Sequence, residues 1–177
     1  MRHWHALIAV VAVAACADQP PTGPARFAPS LSVGSEGAPP TVFNTQMRSE
    51  LEVPTSTSES QGHAQIMVLA DGTIESQVII NNIGDESVRF GHIHHVNPGA
   101  TTGPVIWWLS SPVGVDLNLT DRHLVFRQQG IFVGPPSQTH FATHAAALAE
   151  LLRDPASFYV NFHSDNFPGG FARGFLP

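Results

Sequence analysis

The chain has 177 residues, with 42% hydrophobic and 12% charged residues, 15 glycines, 15 prolines and a formal net charge of −6. This length accommodates one compact domain plus some non-globular sequence, and the low charge with high Gly and Pro content argues against helical bundles and coiled coils. All eight basic residues are arginine, which excludes Schiff-base enzymes and P-loop nucleotide binders, while the acidic balance argues against nucleic-acid binding.

The first 15 residues have the pattern of an export signal. Arg2 precedes an uninterrupted apolar run from Ala6 to Ala15, which is too short to span a bilayer as a helix. Cys16 follows Val13-Ala14-Ala15, a string that resembles a bacterial lipobox, in which the cysteine is lipidated and becomes the mature N-terminus. We therefore expect a lipid-anchored protein of the cell envelope, at the outer membrane and facing the periplasm or the surface. A plain secretory signal with an incidental cysteine is the alternative.

A segment rich in Pro, Gly, Ser and Ala follows, from Cys16 to residue 41. It has no sustained apolar period and cannot bury enough surface to order itself, so we expect a flexible tether between the lipid anchor and the domain. Cys16 is also the only cysteine of the chain. The domain at residues 42–177 therefore has neither a disulfide nor a thiolate, and any metal must be held by histidine, carboxylate or amide side chains.

Short apolar or alternating segments fill the domain, separated by turn residues such as Asp71-Gly72 and Asn97-Pro98-Gly99. This spacing is typical of an all-β antiparallel fold, either a Greek-key-like sandwich or a barrel. The segment from Thr143 to Leu152 is rich in Ala and Leu and ends before Pro155, which predicts one short helix that crosses between sheets. The predicted strands are Phe43–Val53, His63–Leu69, Ile74–Ile80, Val88–Val96, Val105–Leu109, His123–Phe126, Phe158–His163 and Phe171–Leu176.

Histidines stand out among the polar side chains of these strands. Alternate residues of a strand point to opposite faces, so His92 and His94 share one face of their strand. In a later strand the apolar residues alternate with Tyr159, Asn161 and His163, which therefore share the polar face. If the two strands are neighbours in one sheet, the three imidazoles can converge, with Asn161 and Tyr159 as partners that fix their tautomers.

Three strings, taken together and in order, resemble the CHRD domain, a module first recognised in chordin and widespread among exported bacterial proteins. They are E-L-E-V-P at residues 50–54, G-H-I-H at 91–94 with G-P-V at 103–105, and Y-V-N-F-H at 159–163 followed by P-G-G at 168–170 and R-G at 173–174. The resemblance covers about residues 43–176 and implies an all-β exported module without a known activity. Besides the histidines and Asn161, it singles out structural residues: Glu52, Pro54, Gly170, Arg173 and Gly174.

Two hypotheses account for the histidines. In the first, His92, His94 and His163 bind a metal, since neutral imidazoles are preferred donors for Zn and Cu. A His-x-His pair plus a distant histidine is also similar to the copper ligands of Cu/Zn superoxide dismutase. In the second, the same side chains support turn backbones, with His94 holding the loop at residues 97–99 and His163 the loop at residues 168–170.

We therefore expect an exported, lipid-anchored β-sandwich that acts as a non-catalytic binding or structural module, with an envelope or extracellular protein as its ligand. The alternative is a His-ligated Cu or Zn protein with superoxide dismutase-like or oxidase-type activity. No catalytic residue is assigned, because the sequence lacks a Gly-x-Ser-x-Gly nucleophile elbow. His140 and His144 lie four residues apart and are expected on an exposed polar face of the helix.

Overall fold

The computed structural model describes residues 38–110, 117–137 and 140–177. The predicted export signal, Cys16 and nearly all of the tether lie outside the described residues. The described chain contains nine strands and one α-helix: β1 (Thr41–Met47), β2 (Gln61–Val68), β3 (Ile74–Asn81), β4 (Val88–His95), β5 (Val105–Trp108), β6 (His123–Gln129), β7 (Ile131–Phe132), α1 (His144–Arg153), β8 (Phe158–Ser164) and β9 (Ala172–Phe175). Within those ranges, no helix has the length and apolar character needed to cross a membrane.

The strands form two antiparallel sheets. Sheet A has the order β1-β2-β3-β6 and sheet B the order β7-β5-β4-β8-β9. The prediction of an all-β antiparallel sandwich with one short helix is confirmed. The barrel alternative is wrong, because the two sheets are separate and do not close into one.

The core lies between the sheets and follows from strand alternation. Every second residue of β2 and β3 is buried, including Ala64, Ile66 and Ile80. Phe126 of sheet A meets Phe162 of sheet B with ring centroids 5.3 Å apart. Each large apolar side chain removed from water contributes roughly 1.5–3 kcal/mol to folding, so this layer holds the sheets together.

The helix α1 begins one residue later than predicted. The Thr143 hydroxyl accepts a hydrogen bond from the Ala146 N–H at 3.2 Å, which satisfies one of the free donors at the helix start. Ala147 and Leu151 bury one face of the helix in the core. The helix joins β7 to β8, which both belong to sheet B, so the expectation that it crosses between sheets is wrong. The chain instead crosses between the sheets from β3 to β4, from β5 to β6, and at Gly130 from β6 to β7.

Two strand predictions need correction. The first strand was expected to continue to Val53 but ends at Met47, and residues Ser49–Leu51 form a 3-10 turn. Backbone hydrogen bonds from Glu52 and Ser56 to the Ser49 carbonyl bend the chain there, which removes it from the sheet. The strand β7 was not predicted, because two residues are too few to show an alternating pattern.

The strand β8 is buried on both faces. All seven of its residues are buried. The strands β4 and β9 flank it on either side. The core covers one of its faces, and polar side chains and loops cover the other. A strand with a polar face normally leaves that face in water. The polar side chains of β8 are therefore shielded from solvent, which is unusual for the polar face of a strand.

Candidate metal centre

Pairing of β4 with β8 brings the predicted site residues together. In this antiparallel register His92 lies opposite Asn161, and His94 lies opposite Tyr159. His163 projects on the same side as these residues, so its ring reaches His92 with centroids 4.9 Å apart. All three histidines are buried, at 4%, 8% and 7% exposure for His92, His94 and His163.

The nitrogen atoms of the cluster have the spacing of a metal site. One ring nitrogen from each of His92, His94 and His163 lies within 4.8 Å of the others, and His92 Nδ1 is 3.1 Å from His163 Nε2. Two donors bound to one tetrahedral zinc ion at 2.0–2.1 Å lie about 3.3 Å from each other. The His92–His163 pair is therefore close to the separation of two zinc ligands, whereas the set as a whole reaches separations of up to 4.8 Å.

Backbone carbonyls fix the tautomers of two of these rings. His94 Nδ1 lies 2.9 Å from the Gly103 carbonyl oxygen, and His163 Nδ1 lies 2.8 Å from the Pro168 carbonyl oxygen. A carbonyl only accepts, so each Nδ1 carries the hydrogen and donates it, and each neutral ring presents a lone pair at Nε2. His94 Nε2 has no hydrogen-bond partner among the described residues.

Aromatic rings enclose the cluster. Trp108 and Phe90 contact His92 with ring centroids 4.3 Å and 5.1 Å away. Tyr159 stacks on His94 with centroids 4.7 Å apart. These rings keep water from the imidazoles and disfavour their charged forms.

The enclosure changes the acid-base properties of the three rings. Burial, reinforced by repulsion from the neighbouring imidazoles, lowers the pKa of His92 to about 2. Burial also lowers the pKa of His94 to about 4, against the opposing effect of its bond to Gly103. The pKa of His163 is lowered by burial as well. The rings therefore stay neutral at ordinary pH, which is the form that binds metals.

Asn161 is a buried polar neighbour of the three imidazoles. It is 2% exposed, and its Oδ1 atom lies 3.1 Å from His163 Nε2. Tyr159, the other predicted partner, contributes its ring face to His94 and receives the Arg173 guanidinium 5.0 Å from its centroid. Both residues thus line the cluster.

Behind Asn161 lies a buried ion pair. Glu52 and Arg173 are 4% and 3% exposed, and Arg173 Nε is 3.9 Å from Glu52 Oε2. Arg173 also donates to the carbonyls of Thr101, at 3.0 Å, and Leu51. Burial raises the pKa of Glu52 to about 7, although Arg173 and Asn161 both act to lower it.

Gly170 connects the ion pair with the cluster. Its φ of +122° is a conformation that favours glycine. A Cβ atom there would lie 2.5 Å from Glu52 Oε1 and 2.6 Å from Asn161 Nδ2, so these two atoms flank the glycine. The absence of a side chain lets Glu52 and Asn161 lie side by side.

The other predicted structural residues lie at the edge of the sandwich. A Cβ on Gly174 would collide with the Gln46 carbonyl and the Thr45 hydroxyl, so glycine there lets β9 approach β1. Pro54 follows Val53 through a cis peptide bond. Cys16, the predicted lipidation residue, lies outside the described residues.

Comparison with known families agrees with this architecture. A model of the CHRD domain matches residues 43–176. The chain belongs to the CHRD family. The family predicted from the three sequence strings is thus confirmed. The search of curated proteins and the search of solved structures gave no match.

A second pair of histidines in this CHRD domain was not predicted. His95 Nδ1 and His140 Nδ1 lie 2.9 Å apart, beside α1 and on the other side of sheet B from the cluster. His140 precedes the helix, and His144, its first residue, lies 3.0 Å from the Gly72 carbonyl. The expectation that His140 and His144 share a helix face is wrong, because the Thr143 cap places the helix start between them.

Proposed function

We propose that this CHRD domain holds one Cu or Zn ion with His92, His94 and His163. The observation that carries the proposal is the arrangement of His94 and His163. Each donates Nδ1–H to a backbone carbonyl and so directs an Nε2 lone pair into the cluster. Ligand histidines in metalloproteins commonly have their second nitrogen fixed in this way.

Burial favours a binding role over catalysis. A catalytic zinc or copper site keeps one coordination position open to water or substrate. The three histidines are buried, and the rings of Trp108 and Phe90 lie against His92. Superoxide dismutase-like or oxidase-type activity is therefore the less favoured role, and the module is proposed to be non-catalytic.

The location of the module is proposed from the sequence. The apolar run before Cys16 supports export with a lipid anchor in the cell envelope. An envelope or extracellular protein is the proposed ligand of the domain. A metal in a buried site would then stabilise the module, since a ligand that binds only the folded state raises its stability.

Metal analysis of tag-free protein tests the proposed function. We expect one equivalent of Zn²⁺ or Cu²⁺ to bind and to raise the unfolding temperature. His94→Ala should abolish both effects. His123→Ala is the matched control, because His123 is exposed and bonds to Asn81 away from the cluster, and it should bind metal as the wild type does. A wild-type protein that takes up neither ion would refute the proposal.

A further inference from the structure

The contact between Asn161 Oδ1 and His163 Nε2 lacks the proton that a hydrogen bond requires. His163 donates Nδ1–H to the Pro168 carbonyl at 2.8 Å, so the Nε2 atom of the neutral ring carries a lone pair. Asn161 Oδ1, 3.1 Å from that Nε2, also offers only lone pairs. In the metal-free protein His163 Nε2 accepts a hydrogen bond from His92 Nδ1–H, 3.1 Å away, but Asn161 Oδ1 receives no proton from His163. Two acceptors at this distance repel each other, whereas a cation between them would attract both.

Reversal of the amide would relieve the repulsion, but Glu52 opposes it. The amide nitrogen Nδ2 and Glu52 Oε1 flank Gly170, at 2.6 Å and 2.5 Å from the position of its missing Cβ. An amide in the opposite orientation would turn its carbonyl oxygen toward the carboxyl group. Arg173 holds the far side of the same carboxyl, with Nε 3.9 Å from Oε2. Glu52 Oε1 has no hydrogen-bond partner among the described residues, so it is the acceptor open to the amide nitrogen, and this orientation leaves Oδ1 toward the imidazoles.

We propose that Asn161 Oδ1 is the fourth ligand of the metal, and that Glu52 is the residue that orients it. This inference rests on the proposed function and assigns the position that three histidines leave open. The separation of 3.1 Å between Oδ1 and His163 Nε2 is close to the roughly 3.3 Å between two donors of a tetrahedral ion.

Closure of the coordination sphere is the chemical consequence. A tetrahedral ion held by three imidazoles and an amide oxygen would have no position for water, so it would form neither a metal hydroxide nor an adduct with a small anion. Tetrahedral sites without an open position are characteristic of structural metal ions. The donor set also lacks sulfur, so it favours Zn²⁺ or Cu²⁺ over the softer Cu⁺.

Azide binding to the Cu²⁺-loaded protein tests whether the site is closed. We expect no azide-to-copper charge-transfer band in the wild type. Asn161→Ala should open a position, give that band and weaken Cu²⁺ binding on the order of 10- to 100-fold. Asn82→Ala is the matched control, because Asn82 is also fully buried but bonds to Glu86 outside the cluster. That variant should bind Cu²⁺ without an azide band.

The orienting role of Glu52 has its own readout. Glu52→Gln replaces the carboxyl group beside the Asn161 amide with a neutral amide while keeping the size of the side chain. It should therefore allow partial azide binding, whereas a merely structural Glu52 would change stability and leave the copper spectrum unchanged in azide. An azide response of Glu52→Gln identical to that of the wild type would overturn this part of the inference.

A crystal structure of Zn²⁺-loaded wild-type protein decides the ligand set without any variant. Oδ1 at 2.0–2.2 Å from the ion, the usual range for oxygen ligands, supports the inference. A water in the fourth position with Asn161 outside the ligand sphere overturns it and leaves the three-histidine site intact. A wild-type protein that binds no metal refutes the proposed function itself, so the two failures are distinguishable.

Discussion

The imidazole of His94 lies flat on the ring of Tyr159, with centroids 4.7 Å apart and ring planes inclined by only 4°. The two residues face each other in the pairing of β4 with β8. Together with the hydrogen bond from His94 Nδ1 to the Gly103 carbonyl, the stack leaves the imidazole one orientation. In the proposed metal site, His94 Nε2 would therefore be oriented before the ion binds, which would reduce the entropy cost of binding.

Removal of the stacked ring should weaken metal binding. Tyr159→Leu leaves His94 held by one hydrogen bond, and we expect its metal affinity to fall on the order of 10-fold, as for other residues that orient metal ligands. Tyr159→Phe keeps the stack and serves as the control, with an affinity close to the wild type. Quenching of Trp108 fluorescence by Cu²⁺ measures both, because Trp108 lies 4.3 Å from His92. Equal affinities for the Leu and Phe variants would contradict the orienting role.

The stability of the metal-free domain should depend on pH through the buried histidines. The pKa of His94 is lowered from 6.5 to about 4, and that of His92 to about 2. Between pH 6.5 and 4 the unfolded chain binds protons that the folded cluster does not. The contribution of the buried histidines to stability is therefore full above pH 6.5 and falls as the pH decreases, by up to about 1.4 kcal/mol per pH unit for each imidazole.

Glu52 acts in the opposite direction over part of this range. Its pKa is raised from 4.5 to about 7, so the folded state binds an extra proton between these values, and that contribution is lost as the pH rises through 7. Glu52→Gln should steepen the decline of the unfolding free energy between pH 6.5 and 4.5. Urea unfolding of chelator-treated protein at several pH values measures both slopes. A free energy independent of pH in this range would refute the assignment of neutral buried histidines.

The parts of the site that depend on one strand can be predicted from the sequence. Alternation alone places His92 and His94 on one face, and Asn161 and His163 on another. The neighbouring position of β4 and β8 is not predictable in this way, because it joins segments 71 residues apart. From the sequence, the convergence of the three imidazoles can be predicted only on the assumption that these two strands are neighbours.

The tautomers of His94 and His163 depend on loop backbone atoms whose positions strand alternation does not predict. The carbonyls of Gly103 and Pro168, which fix the two tautomers, are placed by irregular segments without periodicity. For the same reason, metal binding and support of loop backbones look like alternatives in the sequence. In the structure Nδ1 of His94 and His163 bonds the loops while Nε2 faces the cluster, so one ring can serve both roles. The loop bonded by His94 is reached at Gly103 rather than at residues 97–99.

The buried ion pair predicts a large effect of Arg173 on stability. Arg173→Ala would remove the hydrogen bonds to the Leu51 and Thr101 carbonyls and the cation beside Glu52, whose carboxyl, with a pKa already raised to about 7, would then take up a proton. Loss of buried hydrogen bonds that leaves their acceptors unsatisfied typically costs about 1–3 kcal/mol. Arg122→Ala is the control, since Arg122 is 75% exposed and lies 3.9 Å from an exposed Asp85, and it should change stability by less than about 1 kcal/mol. Urea denaturation measures both, and similar losses in the two variants would show that Arg173 has no special role.

The anchor proposal makes a prediction about fractionation. If Cys16 is lipidated, the mature protein carries acyl chains that together give stable membrane attachment, whereas a single chain would be marginal. We expect the wild type in the membrane fraction and Cys16→Ser either released or retained with its signal unprocessed. Mass spectrometry of the mature N-terminus identifies the modification, and Ser35→Ala, also in the N-terminal region, controls for the substitution itself. A wild-type protein found fully soluble, with an unmodified N-terminus after Ala15, would rule out the anchor and leave a secreted CHRD domain.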